Sequence, residues 1–252
     1  MIFTDYPALV FVISFVGMAL AARIAAFTRK RTVEAGARDD FDLVQTATLT
    51  LLGLIIGFTF SMALNRYDQR KNLEEAEANA IGTAYVRADL LPSADAAKMR
   101  TLLRSYLDQR ILFYGTRDEQ QLMQINAATA KLQAELWSAV QAPALAQPTP
   151  VNALAVAGVN DVLNSQGYTQ AAWWNRIPLG AWILMTAIGL CANALVGLGA
   201  RSAKAETGLL LILPLVVSIA FFLIADIDSP RGGTIHVKPQ NLLSLAESLR
   251  SP

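Results

Sequence analysis

The sequence predicts an all-α integral membrane protein, with four transmembrane helices in two hairpins and a helical extramembrane insertion between the hairpins. Only 16% of the 252 residues are charged, whereas soluble domains carry about 25%. Four nearly uncharged segments are long enough to cross a hydrocarbon core of about 30 Å. No segment alternates convincingly with the two-residue period of a strand, so helices are expected throughout.

The predicted spans share an apolar run of about 20 residues with at most one charge inside it. They are residues 7–27, 43–64, 177–200 and 207–225. Arg23 lies near the end of the first span, where its side chain can reach the membrane surface. That span could also be a cleaved signal peptide, but the residues before it include no Lys or Arg, which favours a retained span.

These spans divide the chain into four regions. They are the first hairpin (1–65), the extramembrane region (66–176), the second hairpin (177–228) and a C-terminal tail (229–252). Within the extramembrane region, apolar spacing predicts helices over 93–115, with Ser93 as N-cap, and over 118–140. Three prolines at 143, 148 and 150 then predict a linker, followed by a helical segment over 151–174 that Gly167 interrupts.

The second span continues into charged sequence with neither Pro nor Gly before Gly82, which predicts one helix that leaves the membrane unbroken. Just past the membrane exit, Arg70 with Glu74 and Lys71 with Glu75 have the i,i+4 spacing of surface ion pairs. Together with Glu77, these residues are interpreted as a solvated helix face.

One side of the second span is a stripe of small or weakly polar residues. Gly53, Gly57 and Ser61 have the spacing that lets helices approach closely in lipid. The stripe therefore predicts helix packing or pore lining. The two are compatible if the packing is between subunits around a common axis.

Two carboxylates, Asp226 and Asp228, end the fourth span, where charge is costly unless it is paired or hydrated. Arg231 is a candidate partner for one of them, and Arg66 or Arg70 for the other. The alternative is a hydrated vestibule that attracts ions. No nucleophile, metal motif or phosphate-binding loop accompanies the carboxylates, so no enzymatic activity and no catalytic residue is predicted.

The remaining composition narrows the range of ligands and partners. One cysteine and one histidine exclude a Cys- or His-based metal cluster, and no metal or other cofactor is expected. A net charge of +1 gives no reason to expect nucleic acid as a partner. Trp173, Trp174 and Trp182 cluster before and within the third span, as in an aromatic belt at the membrane surface.

The positions of basic residues suggest an orientation in the membrane. The short loops 28–42 and 201–206 are rich in Lys and Arg, whereas the residues before the first span have none. Short basic loops favour the cytoplasmic side. The N-terminus and the insertion are therefore predicted outside.

Several segments resemble the bacterial bestrophin-like domain membrane proteins, almost from end to end. They are 57–61 (GFTFS), 66–68 (RYD), 77–85 (EANAIGTAY), 87–92 (RADLLP) and 224–232 (IADIDSPRG). The second span alone also resembles, more distantly, the pore helix of the bestrophin anion channels. The charged extension of that helix is cytoplasmic in bestrophins, which is opposite to the orientation predicted from the basic loops.

The resemblance implies a homo-oligomeric channel in the lipid bilayer of the bacterial cytoplasmic membrane that conducts inorganic anions, with the second span lining the pore. By the Gly-Phe match, the neck positions are Thr50, Leu54 and Phe58, and a ring of Phe58 side chains could gate by dewetting. Bestrophins also carry an acidic calcium clasp, for which this chain offers only Asp226 and Asp228. The alternative function is a non-conducting scaffold or signalling protein whose insertion binds a partner.

Overall fold

The structure is a computed structural model that describes residues 5–28, 35–200 and 207–250. Side chains are described from residue 39 in the second segment and from residue 208 in the third. Its helices, in chain order, are α1 (Pro7–Thr28), α2 (Ala35–Arg87), α3 (Ser93–Gly115), α4 (Glu119–Ala146), α5 (Pro150–Trp174), α6 (Leu179–Gly199), α7 (Thr207–Asp228) and α8 (Gln240–Ser248). A short 3₁₀ turn, Ala88–Leu90, follows α2. The described residues contain no strand, and the predicted all-α class is confirmed.

Four of these helices contain the predicted spans. Helices α1, α2, α6 and α7 are long and apolar enough to cross a bilayer. Helix α2 has 53 residues and runs through Gly82 to Arg87, so the helix does leave its apolar part without a break. Most of the basic loop residues on which the orientation depends lie outside the described residues.

The chain folds into two compact units. The first, called the membrane unit, comprises Met1–Arg66 and Arg176–His236. The second, called the helical unit, comprises Tyr67–Asn175 and Val237–Pro252.

Within the membrane unit, α1 packs closely against α6. Gly189, Asn193 and Gly197 follow one another at four-residue spacing on α6 and are all buried. A Cβ atom added at Gly197 would lie 2.1 Å from the carbonyl oxygen of Ala22, and one added at Gly189 would lie 2.7 Å from Cε of Met18. Glycine is therefore required at Gly197, because backbone rather than a flexible side chain fills the space.

The helical unit has an apolar core of its own, to which α2 contributes its second half. Trp173 belongs to this core, with its ring centroid 4.9 Å from that of Phe113 and 5.4 Å from that of Tyr114. In the membrane unit Trp182 is buried and packs edge-on against Phe221. Of the three tryptophans interpreted as an aromatic belt, only Trp174 is exposed.

Several predicted boundaries in the insertion differ from the structure. Pro143 lies inside α4 and is buried, so the linker shrinks to three residues, 147–149. Helix α4 tolerates this proline near its C-terminus, where only one more helical turn follows. Helix α5 runs through Gly167 without interruption, and Pro92 rather than Ser93 is the N-cap residue of α3.

The prediction that the charged residues after the second span form a solvated face of α2 is wrong for three of them. Arg70 is 1% exposed, Glu74 is 1% exposed and Glu77 is fully buried. The i,i+4 spacing identified neighbours on the helix surface, but tertiary packing covers that side of the helix. Lys71 and Glu75 are exposed, as expected.

Candidate functional site

The predicted neck residues lie on an exposed face of α2. Leu54 is 52% exposed and Phe58 is 66% exposed, although both are large and apolar. Thr50 is exposed as well. Thr50 and Phe58 lie eight positions apart, which is about 12 Å along a helix. The opposite side of the same helix is buried through Leu52, Thr59 and Ala63, so α2 has one covered face and one open face.

The polar residue of the predicted neck is satisfied inside its own helix. The hydroxyl of Thr50 donates to the carbonyl oxygen of Thr46 at 2.9 Å. A threonine bonded in this way needs no water or partner group for its hydroxyl hydrogen. Thr50 is therefore compatible with an otherwise apolar constriction.

The predicted packing residues Gly53, Gly57 and Ser61 are also exposed. A Cβ atom added at Gly53 or Gly57 would meet no heavy atom within 4 Å. The described part of the chain thus provides no close partner for these two glycines. Packing through them remains a prediction, and it would have to involve another molecule.

A cluster of charges in the membrane unit centres on Arg176, which precedes α6. Its Nη1 donates to the carboxylate of Asp5 at 2.7 Å, and its Nε donates to Asp228 at 3.0 Å. The Asp228 side chain is fully buried and also accepts from the backbone N–H of Ile177. One guanidinium therefore joins the segments that precede α1 and α6 to the end of α7.

Asp226 has a different set of partners. Its carboxylate accepts from the backbone N–H groups of Thr234 and Ile235 and from the Thr234 hydroxyl, at 2.7 to 2.9 Å. Gly233 lies so close that an added Cβ would be 2.2 Å from the Asp226 carbonyl oxygen. Asp226 thus fixes the turn that follows α7.

Sequence reasoning proposed Arg66, Arg70 and Arg231 as partners of these aspartates, and that pairing remains a prediction. The structure shows Arg66 donating to the sulfur of Met62. Arg70 is buried in the helical unit. The sequence analysis did not identify Arg176 as a partner. Arg176 borders the third span, and the predicted topology puts it on the same side of the membrane as Asp228 and the N-terminus. That common side of the membrane could have indicated the pairing.

The helical unit contains a buried ion pair between α2 and α3. Arg110 donates to the Glu77 carboxylate through Nε at 2.5 Å and through Nη2 at 3.4 Å. The hydroxyls of Tyr114 and Thr169 donate to the same carboxylate at 3.2 and 3.3 Å. Both charged side chains are fully buried, so each depends on the other for compensation.

This pair changes the acidity of its neighbours. Burial, and then the negative charge of Glu77, raise the pKa of Tyr114 well above its usual value. The same two causes raise the pKa of Tyr106. Burial is the largest single influence on Arg110 and opposes its charged form, but the attraction of Glu77 together with smaller contributions from Tyr106, the hydrogen bond to Glu77 and Tyr114 outweighs it, and the pKa of Arg110 is raised. The guanidinium stays charged and the phenols stay neutral at physiological pH.

A second buried carboxylate holds α8, a helix that sequence reasoning did not predict. Glu74 accepts from the backbone N–H groups of Asn241 and Leu242 and from the Asn241 side chain, at 2.6 to 3.0 Å. These N–H groups belong to the first turn of α8 and have no acceptor within the helix. Glu74 therefore caps α8 from 167 positions away in the sequence.

No group of three or more His, Cys, Asp or Glu among the described residues is placed to hold a metal ion. The structure thus offers an exposed apolar face on α2, fixed ion pairs at the helix ends and a polar network inside the helical unit. None of these arrangements combines a nucleophile with a base. The ion pairs and the polar network serve to position helices.

Four apolar helices of spanning length, with charges confined to the helix ends and to the helical unit, define a multi-pass α-helical membrane protein. The sequence profile of the Bestrophin-like domain matches residues 8–242. The chain therefore belongs to the Bestrophin-like family, which confirms the resemblance. No curated protein matches the sequence.

Solved structures of a bacterial bestrophin homologue from Klebsiella pneumoniae share the fold. A tyrosine-to-alanine variant superposes with a TM-score of 0.66 at 14% identity, covering 95% of this chain and 97% of the other. The structure phased by zinc anomalous scattering gives 0.63 at 15% identity, covering 94% and 95%. A leucine-to-threonine variant gives 0.65 at 12% identity, covering 95% and 97%. At these identities the likeness extends to the fold alone.

Proposed function

We propose that this chain assembles with further copies of itself into an ion pathway through the bilayer, with the exposed face of α2 as its wall. The observation that carries this proposal is the exposure of Leu54 and Phe58 on a spanning helix whose other face is buried. Small residues at Gly53, Gly57 and Ser61 would let neighbouring copies of α2 approach closely.

Small inorganic anions are the proposed permeant ions. Membership of the Bestrophin-like family and the resemblance to the bestrophin anion channels support this choice. In a symmetric oligomer, rings of Leu54 and Phe58 would form a hydrophobic constriction, which can close by losing its water. The proposed function requires no enzymatic step.

Cysteine accessibility tests the wall directly. The protein has one cysteine, Cys191, which is exposed and is first replaced by serine. In that background, Leu54→Cys and Phe58→Cys should react with a charged, water-soluble thiol reagent in liposomes, because a thiolate forms in water and not in lipid. Thr59→Cys, on the buried face of the same helix, is the control and should stay unmodified. If the two α2 face positions are as unreactive as the control, this face is not wet and the pathway is refuted.

A non-conducting scaffold is the second candidate. It is favoured by an exposed apolar patch at the turn between α4 and α5, formed by Leu145, Val151 and Leu154. Replacing Leu145 and Leu154 together by serine should release a partner that copurifies with the wild type. A wild-type protein that retains no partner under the same washing contradicts the scaffold function.

We also place the protein in the bacterial cytoplasmic membrane with the N-terminus and the helical unit outside. Ser138 is exposed on α4 and suits an orientation test. With Cys191 replaced by serine, Ser138→Cys should react with an impermeant maleimide in intact cells. Labelling only after lysis would place this region in the cytoplasm and reverse the orientation.

A further inference from the structure

A cavity of about 580 Å³ lies within the membrane unit, between α1 and α6, with α7 behind it. Val10 and Met18 line it from α1, Leu179 and Leu190 from α6, and Phe221 from α7. Two further lining residues, Ile13 and Ile183, are more than half exposed. The cavity is therefore open at this side of the helix bundle.

The length of the cavity matches one leaflet of a bilayer. Its lining on α6 begins at Leu179, the first residue of the helix, and reaches Leu190. Eleven residues of helix extend about 16 Å. One leaflet contributes half of a hydrocarbon core of about 30 Å. The cavity thus occupies the leaflet next to the end of α6 at which Arg176 lies.

The walls offer almost nothing to a polar ligand. The two hydroxyls in the lining both donate to carbonyl oxygens of their own helices, Ser14 to Phe11 at 3.1 Å and Thr186 to Trp182 at 2.8 Å. The indole N–H of Trp182, which also lines the cavity, is buried without an acceptor among the described residues, so it is a single donor available to an occupant. A buried water needs two to four polar partners, which this cavity does not provide. An apolar occupant is therefore expected.

The side chains at the rim indicate that the occupant is a lipid chain rather than a second copy of the protein. Helices that pack in a bilayer approach each other through small residues. Such residues lie on the exposed face of α2, at Gly53 and Gly57. Gly17 and Ala187 also line the cavity, but bulky Ile13 and Ile183 stand beside them at its opening, each more than half exposed, and hold a second helix away. A slot one leaflet deep with branched apolar walls suits a flexible chain better than a helix.

We propose that this cavity binds one acyl chain of a bilayer phospholipid. The chain enters from the side, between α1 and α6, and lies along α6 beside the close crossing at Gly189. It fills a space that would otherwise remain empty inside the bilayer. The proposal concerns the membrane unit alone and does not depend on ion conduction.

Native mass spectrometry of the protein, reconstituted with phosphatidylglycerol and released into detergent, tests the site. Ala187 lines the cavity, and Ala187→Phe fills it. Cys191→Phe adds the same ring one turn further along α6, at an exposed position outside the lining. Wild type and Cys191→Phe should each retain one phospholipid per subunit. Ala187→Phe should retain at least tenfold less.

Equal retention by all three proteins would overturn the proposal. A retained mass equal to a free fatty acid would overturn the phospholipid assignment. A change of subunit number in Ala187→Phe alone would show that a second copy occupies the slot. If Ala187→Phe fails to fold, Gly17→Leu fills the same cavity from α1, where an added Cβ has only Leu190 nearby at 3.9 Å. That variant must then lose the lipid.

Discussion

The buried pair of Glu77 and Arg110 gives the sharpest prediction for stability. Arg110→Met leaves a carboxylate at zero exposure with only two hydroxyl donors, those of Tyr114 and Thr169. Breaking a buried pair in this way costs about 3–5 kcal/mol. Glu77→Met leaves the guanidinium without its acceptor and should cost a similar amount.

The double variant has no buried charge at positions 77 and 110. It leaves the hydroxyls of Tyr114 and Thr169 without their acceptor, at about 1–3 kcal/mol each, while Met side chains fill the space. We therefore expect the double variant to be no less stable than either single variant. Independent effects would instead add to about 6–10 kcal/mol.

The assay is denaturant unfolding in detergent micelles, followed by tryptophan fluorescence. Trp173 is a suitable reporter because its ring contacts Phe113 and Tyr114, next to the pair. A double variant whose loss equals the sum of the two single losses would refute the reasoning. That result would mean that Glu77 and Arg110 do not depend on each other.

Three further predictions follow from single contacts. Arg176→Ala should destabilise the protein by about 3 kcal/mol in thermal unfolding, because the fully buried carboxylate of Asp228 loses the guanidinium that pairs with it. Lysine at this position should restore only part of the loss. Full rescue by lysine would contradict the pairing of Arg176 with two carboxylates. Gly197→Ala should cost about 1–3 kcal/mol or more, since its Cβ would lie 2.1 Å from a backbone oxygen. Gly57→Ala meets no atom within 4 Å and should instead stabilise the subunit by about 0.4–1 kcal/mol, because alanine loses less conformational freedom in a helix. Equal effects of the two substitutions would contradict the difference in packing. The raised pKa of Tyr114 makes stability fall as pH rises above about 10, because the unfolded phenol releases its proton and the folded one keeps it. Tyr114→Phe should reduce that slope by an amount that approaches about 1.4 kcal/mol per pH unit near pH 11, and an unchanged slope between about pH 10 and pH 11 would contradict the assignment.

The spans and the long helix could be predicted from the sequence because their signal is local. Twenty apolar residues in a row identify a spanning helix whatever surrounds it. The absence of Pro and Gly before Gly82 likewise predicted the continuity of α2. The start of α4 also has a local signal, because its N-cap residue Asp118 accepts the backbone N–H of Gln120, only two positions away.

Other features depend on partners that are distant in the sequence. Helix α8 has only nine residues, and the acceptor for its first turn is Glu74, so no local pattern marks its start. The burial of Glu77 also arises from packing and could not be predicted from charge spacing on one helix. Arg176 acts through two carboxylates that are 171 and 52 positions away.

The predicted neck belongs to a third kind of feature. Thr50, Leu54 and Phe58 share an exposed face, as their spacing required. What they face in an assembly depends on other molecules, and one chain does not determine it. Their role therefore stays a prediction that needs a functional test.

Chloride flux into liposomes, with wild type beside Phe58→Ala, tests the central claim most directly. Phe27→Ala is the matched control, because Phe27 is an exposed phenylalanine on a different spanning helix. We expect chloride flux from the wild type, the same flux from Phe27→Ala, and faster or less selective flux from Phe58→Ala, since the proposed constriction would be wider. No flux above protein-free liposomes, from an intact oligomer of any of the three, would contradict the proposed pathway. Equal flux from the two alanine variants would contradict the role of Phe58 as its gate.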